Sequence, residues 1–263
     1  MTPEVLASLG SDCMILDLGS GKGSFPPGMT TSKIVCCDID AIGLCDGTYQ
    51  VRADAIHLPF KASLFDLVIA NHSLEHFLGA SQVLAEIGRV IKPTGGLYIA
   101  VPDGGSVSDG LYRWVASGGG HVNQFTDESQ LAEQVVGATS LTFNGVTVLY
   151  SGFTFLNVKN AKARCPRKVV VMTGGSEVFL SFLTLGLRFV DRLLQTRLST
   201  YGWALYFGSI SPPRQLARTN VCVRCGSAHG ADWLVRMSLV RGRRWLRRYN
   251  CPLCSCLNFW TSD

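Results

Sequence analysis

Charged side chains are scarce in this chain. They make up 16% of its 263 residues, where roughly a quarter is usual for a soluble domain. With 47% apolar residues, that composition excludes a solvated polyelectrolyte or a disordered chain. Long apolar runs are missing too. The most apolar late stretch, Val178 to Val190, is interrupted by Arg188 and is shorter than the ~20 residues that cross a bilayer. It therefore reads as a buried or amphipathic helix. The start, Met1-Thr2-Pro3-Glu4, has no basic or apolar leader region, so the expected location is cytoplasmic. Lys22 is followed by Gly23 rather than Ser or Thr, which excludes a Walker phosphate loop. No Asn/Asp-Pro-Pro-Tyr motif of nitrogen-directed nucleic-acid methylation follows Asn71, because His72-Ser73 stands there.

Acidic residues are also missing from the last third. Residues 1–158 carry 7 Lys+Arg against 15 Asp+Glu, and residues 159–263 carry 17 against 4. The basic part either faces an anion, such as RNA, a phospholipid headgroup or a phosphorylated sugar carrier, or complements the acidic part.

Residues 13–23 read Cys-Met-Ile-Leu-Asp-Leu-Gly-Ser-Gly-Lys-Gly. A short apolar run ending in alternate glycines reads as a buried parallel strand entering a tight turn, where backbone N–H groups approach a ligand closely. A second apolar run, Ile34 to Cys37, ends in Asp38, and an acid at that strand tip can accept both hydroxyls of a ribose. Gly19, Ser20, Gly21, Gly23, Asp38 and the adjacent Ile39 are the candidate cofactor residues. The G-x-G-x-G spacing departs from the G-x-G-x-x-G dinucleotide fingerprint.

The segment resembles motif I of the class I S-adenosylmethionine-dependent methyltransferases, and the resemblance continues in register to about residue 102. Arg52 to Phe60, Phe65 to Ala70, Asn71-His72-Ser73-Leu74-Glu75-His76-Phe77, Leu84 to Val90 with its stop at Lys92-Pro93-Thr94-Gly95-Gly96, and Leu97 to Val101 follow in the family's order. The resemblance implies an α/β fold: a Rossmann-like, doubly wound, mostly parallel sheet of seven strands. It implies S-adenosylmethionine as cofactor, with Asp17 near its amino-acid end, Asp54 at the adenine amino group with Ala55 beside it, and Asn71 and His72 at the end of the fourth strand. One departure stands out: Phe25-Pro26-Pro27-Gly28 leaves only a stub or an irregular loop for the first helix. Family members similarly shortened are associated with glycan, lipid or other envelope intermediates.

In similar methyltransferases the stretch after the fifth strand covers the substrate, often with a His before an aromatic. This makes His121 a candidate contact or base, with a solvent-exposed loop histidine as the alternative. Asp103, His76 and His72 are further candidates, although His76 can equally pack the helix after the fourth strand. Thr126 reads as a helix N-cap, Asn144-Gly145 as a hairpin turn, Ser176 to Leu198 as a helix, and Tyr201 to Gly208 as a last, antiparallel strand.

The ten cysteines divide in two groups. Cys13, Cys36, Cys37 and Cys45 lie in or near the first strands and read as small hydrophobes; Cys165 has no assigned role. Cys222-x-x-Cys225 and Cys251-x-x-Cys254 can present four thiolates to one structural Zn²⁺, resembling a zinc ribbon whose linker forms a hairpin. Cys256 is a competitor for Cys254. Arginines 236, 241, 243, 244, 247 and 248 alternate with Trp233, Trp245 and Tyr249. They form either a nucleic-acid surface or the exposed face of a ribbon whose aromatics fill a thin core.

The expected organisation is a methyltransferase domain over 1–210 and a basic zinc-ribbon-like module over 211–263. The expected activity is methyl transfer to a small-molecule, glycan or lipid-linked acceptor. The alternatives are an RNA or protein methyltransferase recruited through the ribbon, and a non-catalytic cofactor-binding protein.

Overall fold

The computed structural model describes residues 6, 12–21, 23–24, 30–40, 48–115, 120–161, 176–212, 219–243 and 246–261. Cys45, Cys165, Trp245, Arg244 and the Phe25-Pro26-Pro27-Gly28 stretch lie outside them. The chain forms two compact units that interleave in sequence. The first combines 1–103, 120–147 and 203–213; the second combines 104–119, 148–202 and 214–263.

The sheet is built from β1 (Met14–Leu18), β2 (Lys33–Asp38), β3 (Tyr49–Arg52), β4 (Phe65–Asn71), β5 (Ile91–Pro102), β6 (Phe143–Tyr150) and β7 (Thr200–Gly208), in the order β3-β2-β1-β4-β5-β7-β6. The first five strands pair in parallel. β7 runs against its neighbours: Ser209 N–H donates to the Gly95 carbonyl at 3.0 Å and Gly208 N–H to that of Thr142 at 2.8 Å. The order reverses between β1 and β4, and the crevice at their C-terminal ends is where open α/β sheets bind ligands. Ile15, Leu16, Leu67, Val68, Ile69 and Ala70 are fully buried, as both-faces-covered strands require.

Helix α1 (Ala80–Val90) buries Val83, Leu84, Ile87 and Val90, an apolar stripe at helical spacing. Several local expectations are corrected. The helix ends at Val90, before the Lys92–Gly96 stop as expected, but the fifth strand starts earlier than Leu97. β5 already begins at Ile91, and residues 92–95 form an irregularity between the Phe65–Ile91 and Leu67–Gly96 pairs. Asp127, not Thr126, caps the helix over Glu128–Thr139, because its carboxylate accepts from the N–H groups of Ser129 and Gln130. Asn144-Gly145 makes no turn. β6 runs through it, and Asn144 Nδ2 donates to the carbonyls of Gly208 and Ile210, fixing the neighbouring chain instead.

In the second unit, α2 (Val107–Val115), α3 (Glu177–Leu194) and a small ribbon share one core. Val115, Phe153, Leu156, Leu180, Val223, Leu234 and Tyr249 are its buried residues. α3 begins on the Ser176 cap and ends at Leu194, four residues short of the expectation, with Gln195 as a left-handed C-cap. It also leaves Phe182 and Phe189 at least half exposed. No helix among the described residues is long and apolar enough to cross a membrane. The ribbon comprises β8 (Thr219–Val221) with β9 (Ala228–Gly230), and β10 (Val240–Arg241), β11 (Arg248–Asn250) and β12 (Leu257–Phe259). The segment joining the cysteine pairs is not a plain hairpin: it holds a helix, Ala231–Arg236.

Candidate active site and cysteine cluster

The glycine turn after β1 is held from both sides. Gly19 N–H donates to the Cys37 carbonyl at 2.8 Å, and Ser73 Oγ donates to the Leu18 carbonyl at 2.8 Å. Gly19 has φ +65°, and a Cβ there would lie 2.5 Å from Ser73 Cβ and 2.9 Å from the Phe77 ring, so only glycine fits. Gly21 has φ +50° with no atom of the described residues within 4 Å of its Cβ position, and its N–H donates to Asp38 Oδ2 at 2.9 Å. Asp38 Oδ1 accepts from Asp40 N–H, so the carboxylate stands fixed at the tip of β2. Ile39 beside it is 60% exposed.

Asp17 is fully buried, and burial raises its carboxyl above the usual range, opposed by hydrogen bonds from the Ser24 hydroxyl and N–H. Asp54 forms an Asx turn with Ile56 N–H, with Ala55 buried next to it. Two polar atoms around this crevice, Ser20 Oγ and Asn71 Oδ1, are buried without a hydrogen-bond partner. Buried polar atoms of this kind call for an occupant. An open glycine face, a fixed acid and two unanswered polar atoms fit a nucleoside-bearing cofactor.

The segment after β4 meets the loop before the Asp127 cap. Glu75, 1% exposed, accepts at its backbone carbonyl from Val122 and Asn123 N–H at 2.9 and 3.0 Å. Asn123 Nδ2 donates to the carbonyls of Leu74 and Phe77. His76 Nδ1 donates to the Gly120 carbonyl at 2.9 Å, and the His76 and His121 rings meet edge to face, 4.9 Å between centroids. His72 Nδ1 lies 3.9 Å from Glu75 Oε1, and burial pushes its imidazole down to about 3. Asp103 bridges to Phe125 in this loop. Ser24, Glu75 and Asn123 escape a reading by motif because each acts through a partner distant in sequence.

In the second unit the ligand atoms of Cys222, Cys225, Cys251 and Cys254 all lie within 4.8 Å of one another. Cys222–Cys254 and Cys225–Cys251 sulfur distances are 3.5 and 3.6 Å, near the ~3.8 Å edge of a tetrahedron with 2.3 Å Zn–S bonds. Both pairs make the same turn. Gly226 N–H donates to the Cys222 carbonyl and Ser255 N–H to that of Cys251, with positive φ at Gly226 and Ser255. Hydrogen bonds from Cys222 and Cys225 lower the Cys251 thiol far below its usual range. Cys256 is buried and bonds the Leu257 carbonyl. Sequence reasoning missed His229, whose Nε2 lies 3.5 Å from Cys251 Sγ, and Asn258, whose side chain reaches Cys222 Sγ and Val223 N–H. Among the described ribbon aromatics Tyr249 is fully buried, while Trp233, stacked on His229, and Trp260, under Arg247, are half-buried against the second core.

Residues 16–99 match a family described as a methyltransferase domain. A biotin biosynthesis bifunctional protein of Cellvibrio japonicus is 30% identical over 132 residues, 46% of this chain and 26% of that protein. A ubiquinone/menaquinone biosynthesis C-methyltransferase of Blochmanniella pennsylvanica is 31% identical over 104 residues, 33% of this chain and 41% of that protein. The chain thus spans well under half the length of these relatives. Among solved structures, the [4+2]-cyclase SpnF superposes with TM-score 0.52 at 18% identity, covering 80% of this chain and 78% of that one. A Bacillus halodurans C-125 protein superposes with TM-score 0.50 at 16% identity, covering 78% and 95%. These likenesses establish the fold.

Proposed function

Starting from the class I S-adenosylmethionine-dependent methyltransferase domain of residues 16–99, we propose that the chain transfers a methyl group to a small-molecule acceptor, free or carried on a glycan or lipid. The observation that carries the reading is the Gly21–Asp38 pair beside the partnerless Ser20 Oγ and Asn71 Oδ1.

S-adenosylmethionine, when bound, supplies the methyl group on a sulfonium. The chain's residues hold and align it, which alone is worth ~7–11 kcal/mol at the upper end. Asp38 accepts the ribose hydroxyls and Ile39 offers its exposed apolar face to the adenine. Asp54, with Ala55, receives the adenine amino group. Gly19, Ser20, Gly21, Gly23 and Asn71 line the turn, Ser20 and Asn71 with polar side-chain groups, and Asp17 acts from below through Ser24. His72, His76, His121 and Asp103 sit on the acceptor side. His121 belongs to a loop tied to Glu75, so it is the group best placed to contact an incoming acceptor.

Two of the similar proteins are named for biotin and quinone biosynthesis, which supports an acceptor of low mass. The Cys₄ set suits a structural Zn²⁺ with no open position for chemistry. Reduced cysteines suit a cytoplasmic location. The burial of Tyr249 and the packing of Trp233 and Trp260 against the second core favour a core role for these aromatics over base stacking.

The test is calorimetric titration with S-adenosylhomocysteine, followed by incubation of cell extract with methyl-labelled donor. Saturable binding and label in the low-mass or lipid fraction support the reading. Label confined to RNA or protein favours recruitment through the ribbon. No binding by folded, zinc-loaded chain removes the methyltransferase reading.

A further inference from the structure

We propose that Glu75, His76 and His121 form a binding site for one divalent transition-metal ion. Their ligand atoms lie within 4.8 Å of one another, and three first-shell bonds of about 2.0–2.2 Å need only a modest contraction from there. The half-exposed His121, on its loop, can supply that movement.

The tautomer of His76 is fixed for the purpose. The Gly120 carbonyl can only accept, so the proton of that 2.9 Å contact sits on Nδ1. Nε2 then presents its lone pair, in the second-shell arrangement common to metal-bound histidines. Glu75 brings a carboxylate that is 1% exposed, and burying a charge is favourable when a cation compensates it. The two segments bearing the ligands are already joined, through Val122 and Asn123 N–H to the Glu75 carbonyl and through the Asn123 amide to Leu74 and Phe77. Little ordering therefore remains for binding. His72, 3.9 Å from Glu75 Oε1, stands as a fourth neighbour.

Two imidazoles and one carboxylate suit Mn²⁺, Fe²⁺, Co²⁺ or Zn²⁺ better than the oxygen-seeking Ca²⁺ or Mg²⁺. Three protein ligands also leave positions open. There an acceptor hydroxyl can coordinate and lose its proton to water at neutral pH, so that no side chain need act as base. That role rests on the methyl-transfer reading; the binding of the ion does not.

The experiment uses the full chain with its cysteines loaded with zinc, because Mn²⁺ competes poorly for thiolates. Mn²⁺ is titrated and read by electron paramagnetic resonance, with S-adenosylhomocysteine affinity measured on the same samples. One saturable Mn²⁺ per chain, weakened at least about 10-fold in both His76→Ala and His121→Ala, is the expected result. Glu75→Gln is a third variant, but its burial puts folding at risk, so the histidine variants carry the test. No saturable Mn²⁺ signal in the folded protein, or wild-type Mn²⁺ affinity in His76→Ala and His121→Ala, overturns the proposal and leaves His76 and His121 as a plain imidazole pair. Mn²⁺ binding without S-adenosylhomocysteine binding keeps the metal site and removes the methyl-transfer role.

Discussion

Gly21 N–H and the Asp38 carboxylate form a 2.9 Å hydrogen bond across the mouth of the sheet crevice. It holds an acid at the tip of one strand against the glycine turn of the strand beside it. Asp38→Ala removes a charged acceptor, and a hydrogen bond to a charged group is worth ~1.5–3 kcal/mol. S-adenosylhomocysteine affinity measured by calorimetry is expected to fall about 10- to 100-fold, since each ~1.4 kcal/mol is tenfold. Asp38 is partly exposed, so the melting temperature is expected to change little.

Gly19→Ala and Gly21→Ala separate folding from binding. At Gly19 the new methyl would collide with Ser73 Cβ and the Phe77 ring, and thermal melting should show a large loss of stability. At Gly21 the methyl enters open space, leaving only the ~1–2 kcal/mol cost of a left-handed alanine. That protein should fold, and calorimetry should show weakened S-adenosylhomocysteine binding because the methyl intrudes where the ligand would lie.

Elemental analysis should find one tightly held zinc per chain, lost in Cys251→Ser. Chelation should lower the melting temperature by many degrees, because the free energy of binding a structural zinc is folding free energy. An unchanged melt after complete zinc removal would count against a structural role.

Glu177 takes a two-pronged ion pair from Arg224, with both contacts at 2.6 Å. The arginine's hydrogen bonds hold the Glu177 carboxyl down at about 2, against ~4.3 for a free glutamate. A depressed carboxylate contributes stability that is complete above the unfolded value and is lost as pH falls through the folded one. The melting-temperature gap between wild type and Glu177→Gln should therefore be widest near neutrality. It should close between pH ~4.3 and about 2.

What could be read from residues alone divides along physical lines. β1, β2, β4 and β5 were legible because fully buried parallel strands must be short, continuous apolar runs, and their order around the glycines left one family resemblance. The cysteine pairs were legible because spacing alone sets which thiols can meet. The errors fell where a local signal had two uses. Asn144-Gly145 has hairpin chemistry, yet its side chain serves the neighbouring chain. Thr126 and Asp127 are both capping residues, and only backbone geometry selects Asp127. Pro93 follows a helix end as expected, but the fifth strand begins at Ile91 rather than Leu97, because Lys92–Gly95 fit an irregular strand. Glu75, Ser24, His229 and Asn258 were unreadable because each acts through a partner remote in sequence, which periodicity does not register.

The core of the second unit draws on Val115, Phe153, Leu180 and Tyr249, residues scattered along more than half of the chain. A ribosome would deliver α2 long before Cys251 and Tyr249 emerge. The early segments must wait, with their apolar faces uncovered, until the final strands and the second cysteine pair arrive. Metal capture by the four cysteines would come only after Cys254 has emerged. A cell short of zinc would accumulate chains whose sheet is formed and whose second core is open, which makes this unit the place where chaperones and proteases would first take hold.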